Sequence, residues 1–357
     1  MTESSEPARS ALSRRIETLL IASAGTACFF ALGLPLPFLF GPLFGCLAAA
    51  LLRRPLEDFG QVSVGARTIL GVAVGASVTP EVAEMLPSMT ASIAFIPIYI
   101  VVIGMLGVPF FHRICGFDRV TAWYAAMPGG LQDMVIFGKE AGGDVRALAL
   151  IHSTRVLIVV TVAPLIVTFG FGSGLSNPIG APVTELPLDE LALMIFAALL
   201  GWKGGERIGL FGASILGPLI VTMILSLSGL IHYRPPAESI LFAQFMIGLG
   251  IGVRYVGITL TEVRRFVLSG VLFVLVLAAL AALFTEIISI LNLAAPVNAF
   301  LAFSPGGQAE MTVLAIVAGA DLGYVIVHHL TRIMLVIAGA PISARLFLNR
   351  DRTRSGP

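Results

Sequence analysis

Two short stretches combine helix-breaking residues with a carboxylate at the same spacing. Pro128-Gly129-Gly130-Leu-Gln-Asp133-Met134 and Pro305-Gly306-Gly307-Gln-Ala-Glu310-Met311 each place an acid three residues after the second glycine. Proline removes a helical hydrogen bond and two glycines weaken what remains, so each surrounding helix is expected to be broken there. A second pairing, His152-Ser-Thr-Arg155 and His329-Leu-Thr-Arg332, sets a histidine and an arginine on one helix face. Acids, cations and unpaired backbone groups around two helix breaks are the components of an ion or solute site.

These residues lie in an apolar chain. Of 357 residues 57% are hydrophobic and 12% charged, against about 25% charged in a soluble domain, and the mean hydropathy is +0.96. The composition is that of a polytopic membrane protein. Lys plus Arg (22) nearly balances Asp plus Glu (21), so no basic field exists to hold a nucleic-acid backbone. Cys28, Cys46 and Cys115 form an odd set without CxxC spacing and predict neither a disulfide framework nor a zinc site. They read as small lipid-buried hydrophobes, and no metal or other cofactor is expected.

Thr18 to Leu52 carries no charge and is too long for one crossing of a hydrocarbon layer about 30 Å thick. Two spans therefore share it, turning at Leu34-Pro35-Leu36-Pro37. Further apolar stretches cover about 60–79, 90–111, 145–170, 188–202, 208–231, 238–253, 266–290 and 322–347. Segments 119–141 and 296–319 are the two interrupted at Pro-Gly-Gly.

Residues 66–164 align without gaps on 243–341 at a constant offset of 177. Gly71 and Gly75 match Gly248 and Gly252, both Pro-Gly-Gly motifs coincide, and Asp144, His152, Thr154, Arg155 and Pro164 match Asp321, His329, Thr331, Arg332 and Pro341. Upstream the register slips by one, since Gly41-Pro42 matches Gly217-Pro218. A duplicated unit of about 170 residues follows, and the parity of its crossings decides whether the halves are inverted or parallel. If each broken segment is a re-entrant hairpin, the unit has five spans and the halves are inverted; if it crosses, there are six.

Charge bias favours five. Arg53 and Arg54, His112 to Arg119, Lys139 to Arg146, Lys203 to Arg207, Arg254 to Arg265 and Arg345 to Arg354 then fall inside. Glu81, Glu84, Glu185, Asp189, Glu190 and the 292–297 turn fall outside; only Arg234 dissents. The reading is an all-α polytopic membrane protein of two inverted five-span repeats, each with a broken re-entrant hairpin, making ten spans plus two hairpins. Its parts are a cytoplasmic tail 1–15, repeats 16–170 and 191–347 joined by an external linker 171–190, and a cytoplasmic tail 348–357.

Arg155 and Arg332 fall near the membrane midplane, where a cation costs at least about 2.5 kcal/mol and must face protein. Asp133 and Glu310 are the natural partners, either as two packing ion pairs or as members of a shared site. The expected site comprises these four with Arg67, Gln132, Gln308, His152, His329 and Gln244, grouped at Pro128-Gly129-Gly130 and Pro305-Gly306-Gly307. His152 and His329 are either packing histidines or proton relays. Arg67 answers to Gln244, an asymmetry suited to one oriented solute. Asp144 and Asp321 are expected to cap helices, the Gly248-Leu-Gly-Ile-Gly252 run to pack helices closely, and the aromatics to face lipid or the interface.

Ala66-Arg67 with Gly71 and Gly75, the two Pro-Gly-Gly-x-x-acid-Met motifs and the His-x-Thr-Arg pairs resemble the AbrB family of bacterial inner-membrane proteins. That family is distinct from the small DNA-binding regulator of the same name. Its members are labelled ammonia monooxygenase or membrane regulators of gene expression. It looks like a distant relative of cation/proton antiporter and anion transporter folds, whose five-helix inverted repeats carry discontinuous helices around a midplane site. The resemblance implies a secondary transporter, not an enzyme, moving a small solute, an anion among the candidates, with a proton or sodium ion. Its partners would be the lipid bilayer, the solute, a coupling cation and a second copy in a homodimer, with no nucleic acid, in the bacterial inner membrane with both termini cytoplasmic. The alternative is a membrane sensor that acts on gene expression indirectly. A metal oxygenase, the third reading, needs a cluster of His or carboxylate ligands, and of the five histidines His112 and His232 lie near span ends.

Overall fold

In the computed structural model, residues 10–352 are described apart from 35, 176, 178 and 211. The described residues form sixteen α-helices joined by turns and loops, with no strand among them. In chain order they are α1 (Ala11–Ala31), α2 (Pro37–Leu51), α3 (Gln61–Gly75), α4 (Pro80–Ile93), α5 (Phe95–Pro109), α6 (Arg119–Ala126), α7 (Leu131–Glu140) and α8 (Val145–Leu165). Then follow α9 (Leu188–Arg207), α10 (Ala213–Leu227), α11 (Ala237–Val253), α12 (Leu260–Glu262), α13 (Leu268–Ile290), α14 (Pro296–Phe303), α15 (Gln308–Val317) and α16 (Leu322–Arg352). Single π-helical turns extend α5 and α8 and join α12 to α13.

Four helical stretches are long and apolar enough to cross a membrane: Leu86–Ile114, Val145–Gly170, Leu260–Ile290 and Leu322–Ala344. Four more apolar helices, α2, α3, α10 and α11, have only 15 to 17 residues, about 22–26 Å of rise. The turn expected around Leu34 to Pro37 separates α1 from α2, with Pro35 itself outside the described residues. The tail residues 1–9 and 353–357 also lie outside them.

The helices sort into two bundles. One packs α1, α2 and α3 with α9, α10 and α11; the other gathers α5 to α8 with α13 to α16. Side chains join them, α3 lying closest to α15, along an apolar seam where Leu70, Ala73 and Ile247 meet Val156, Val160 and Val313. Each bundle takes its helices from both halves of the chain.

Glycine makes the first bundle possible, because only a residue without Cβ lets two helix backbones touch. A Cβ at Gly75 would lie 2.6 Å from the Leu219 carbonyl of α10, and one at Gly252 would lie 2.6 Å from the Leu43 carbonyl of α2. Gly71 and Gly248 meet the Ile215 and Leu39 carbonyls one turn earlier. So α3 rests on α10 as α11 rests on α2, and the glycine runs serve helix packing.

The second bundle corrects the expectation for the aromatics. Phe111, Phe273, Phe284 and Phe303 are buried with Tyr99 in one cluster, with the Tyr99 ring 4.9 Å from Phe284 and 5.4 Å from Phe303. The Tyr99 hydroxyl donates to the Phe303 carbonyl at 2.7 Å. Of the cysteines, Cys46 is buried, Cys115 half-buried and Cys28 exposed.

Candidate functional site

The helix breaks come first, because they position everything else. α6 ends where Met127 turns extended, as the residue before a proline prefers, and α7 restarts after Gly130. The chain then comes back to where it started. The Asp144 amide, at the end of the segment, donates to the Thr121 hydroxyl near its beginning at 2.8 Å. In the second half the Asp321 amide donates to the Asn298 side-chain oxygen at 3.0 Å. Asp144 and Asp321 also cap α8 and α16, accepting from the Ala147 and Tyr324 amides at 2.9 Å.

From that junction α8 descends beside α6. His152 Nε2 donates to the Tyr124 carbonyl at 3.0 Å, and His329 Nε2 to the Leu301 carbonyl at 2.9 Å. Deeper still, Arg155 donates to the Met127 carbonyl at 3.2 Å and the Gly129 carbonyl at 2.6 Å. Arg332 matches it on the Ser304 carbonyl at 2.7 Å and the Gly306 carbonyl at 3.1 Å. Arg155 stands eleven residues beyond Asp144, about 16 Å along the helix and half of a hydrocarbon layer.

Here the expectation that Asp133 and Glu310 pair with these arginines is corrected. Each guanidinium instead spans the carbonyls that its own Pro-Gly-Gly break sets free. A helix C-terminus leaves its last carbonyls without intrahelical partners and carries negative partial charge, so a forked cation answers both needs. Arg155 and Arg332 are 4% and 3% exposed and lie behind the breaks.

Asp133 and Glu310 face the other way. They sit in the first turns of α7 and α15, and each carboxylate folds back over the glycine that begins its helix: a Cβ at Gly130 or Gly307 would collide with it. Both acids line a cavity of about 170 Å³ between the two bundles, together with Arg67, Arg254 and Gln308. The walls between these polar groups are apolar, from Val156, Ile215, Ile247 and Ile251. Asp133 is 8% exposed. Among the described residues, neither acid forms an ion pair with either arginine within 4.0 Å.

Of the expected site residues, the structure brings Asp133, Glu310, Arg67 and Gln308 to one cavity. His152, His329, Arg155 and Arg332 hold the breaks from behind. Gln244, 1% exposed, lines a different cavity with Leu36, Asn177 and Val317. Gln132 belongs to α7 by its backbone, while its side chain lies outside the described residues. Pro128, Gly129, Pro305 and Gly306 form the turns, and a Cβ at Gly129 or Gly306 would strike the side chain of Met134 or Met311. Arg254 was missed, grouped by sequence with the charged run to Arg265. Its signal was the spacing Ile247, Gly250, Ile251, Arg254, which puts it on the cavity face of α11.

A family model described as "Transition state regulatory protein AbrB" matches residues 38–348. The chain is 24% identical to "Uncharacterized protein YhjN" of Bacillus subtilis (strain 168), covering 92% of this chain and 91% of that one. It is also 24% identical to "Putative regulator AbrB" of Escherichia coli (strain K12), covering 92% and 94%. With most of its length matched, the chain belongs to the AbrB family.

Proposed function

We propose that this protein is a secondary transporter of a small solute in the bacterial inner membrane, with Asp133 and Glu310 binding a coupling proton or sodium ion. The observation that carries this reading is one cavity, set between two bundles, that holds the matched acids from both helix breaks. Helix ends at mid-membrane supply partial charges without the cost of a free backbone, because the broken segments are buried in protein. The seam between the bundles is built of apolar side chains, such as Leu219 against Val159 and Leu70 against Val156, a contact that suits a cavity opening alternately to either side.

In this reading each half has five spans and a re-entrant hairpin, the halves are inverted, and both termini are cytoplasmic. The bonds joining Thr121 to Asp144 and Asn298 to Asp321 support it, since each hairpin ends beside its own start. A Ser173→Cys variant lacking Cys28, Cys46 and Cys115 tests it. A membrane-impermeant maleimide is expected to label the linker from outside intact cells; labelling only after permeabilisation would make the halves parallel.

For the coupling role, purified protein in sealed vesicles should drive solute uptake under an imposed proton or sodium gradient. Asp133→Asn and Glu310→Gln are each expected to reduce that gradient-driven uptake to background while leaving the protein folded. Full coupled uptake in both variants would remove these acids from the mechanism.

The name of the Escherichia coli relative, a regulator, favours a second reading, a sensor that binds its ligand in the same cavity and signals to a partner from its cytoplasmic loops. It calls for saturable ligand binding without net flux across the vesicle.

A further inference from the structure

The cavity sets two cations, Arg67 and Arg254, in one lining with the acids Asp133 and Glu310. Arg67 on α3 and Arg254 at the end of α11 both line it without an ion pair within 4.0 Å among the described residues, and each guanidinium carries five N–H donors. Gln308 adds a buried Nε2 that has no partner. The carboxylates of Asp133 and Glu310 share this lining and are folded back over their own helix starts, and neither comes within 4.0 Å of a guanidinium among the described residues.

We infer that the cavity binds a small organic carboxylate, its anionic group held by Arg67 and Arg254 and its body lying along the apolar wall of Val156, Ile215, Ile247 and Ile251. The inference deepens the transporter reading and rests on it for the identification of this cavity as the solute site. An acceptor-only group with two coplanar oxygens is what a pair of guanidinium forks satisfies best. The volume of about 170 Å³ is close to a cavity that holds benzene, so the ligand has about six to ten non-hydrogen atoms.

The two arginines also orient the ligand. At the offset of 177, Arg67 answers to Gln244 and Arg254 to Ser77, so neither cation is repeated in the other half. The second cavity, with Gln244 and Asn177, has amides and no cation in its lining. The duplicated architecture thus carries a one-sided charge, and the anion has one preferred cavity.

Full-length protein in lipid nanodiscs tests this with a panel of mono- and dicarboxylates from propionate to adipate, plus benzoate, each beside its neutral amide. Binding is read as a saturable rise in unfolding temperature. At least one carboxylate is expected to bind, with its amide about tenfold weaker or more. Arg67→Gln and Arg254→Ser, which borrow residues from the other half, are each expected to weaken that carboxylate by about tenfold or more. Arg67→Lys should recover part of the loss, and serves if the glutamine variant fails to fold.

No binding by any carboxylate of the panel, amides binding as tightly as acids, or unchanged affinity in both variants would overturn the inference. Flux assays on the same samples separate it from the transporter reading. Carboxylate binding without flux removes the transporter and keeps the site; gradient-driven flux of a neutral or cationic solute, with no carboxylate bound, does the reverse.

Discussion

Arg155→Met is expected to cost about 2–6 kcal/mol of stability, about 1–3 for each of the two buried carbonyls it leaves without a partner. The residue is 4% exposed and its fork bonds two carbonyls at once. Methionine fills much of the same volume, so the loss falls on the Met127 and Gly129 carbonyls, which would be left in the protein interior without a donor. Arg332→Met should behave alike, through Ser304 and Gly306. Lysine is a point charge on a flexible stem and cannot bridge two carbonyls as a planar fork does, so Arg155→Lys should fall between wild type and Met. Thermal unfolding in detergent measures all three. If Arg155→Met melted with the wild type, the carbonyl bonds would not be what holds the hairpin.

The second large effect is steric. Gly75→Leu and Gly252→Leu place a side chain where the neighbouring backbone stands, 2.6 Å from the Leu219 and Leu43 carbonyls. Overpacking of an ordinary core costs about 1–3 kcal/mol because side chains can shift. A helix backbone cannot, so the whole crossing must separate, and loss of at least about 3 kcal/mol is expected for each. Gly204→Leu is the control: it lies in α9 with nothing within 4 Å of a Cβ, and its stability should stay close to wild type. Denaturation of the three variants in one detergent would decide the matter, and equal midpoints would refute the close crossing.

How much of this was legible from the chain depends on what each residue must do. Pro128-Gly129-Gly130 and Pro305-Gly306-Gly307 announce their breaks because proline and glycine act through local backbone chemistry, and the glycines of α3 and α11 announce close packing. Asp133 and Glu310 could be placed together because a repeat maps one onto the other. The partners of Arg155 and Arg332 were not legible, since a backbone carbonyl leaves no trace in the residue type that bears it. The buried aromatic cluster of Tyr99, Phe284 and Phe303 escaped for another reason. Lipid tails are as apolar as a protein core, so hydropathy does not tell an inward phenylalanine from an outward one. Arg254 stood at the edge of a charged run, where a cavity face and a cytoplasmic loop share the same composition.

The interleaving of the two bundles has a consequence for the order in which the protein can be made. The face of α3 that carries Gly75 waits for Leu219, 144 positions further along the chain. At ordinary synthesis rates that interval is on the order of ten seconds. The face of α2 that carries Leu43 waits longer, until Gly252 arrives. An N-terminal half released early would hold two grooves shaped for backbones that never come, open to lipid and to other chains. Assembly of either bundle therefore waits for its own second-half helices, α11 for the first and α16 for the second, and a nascent first half is the stage at which this protein most needs an escort.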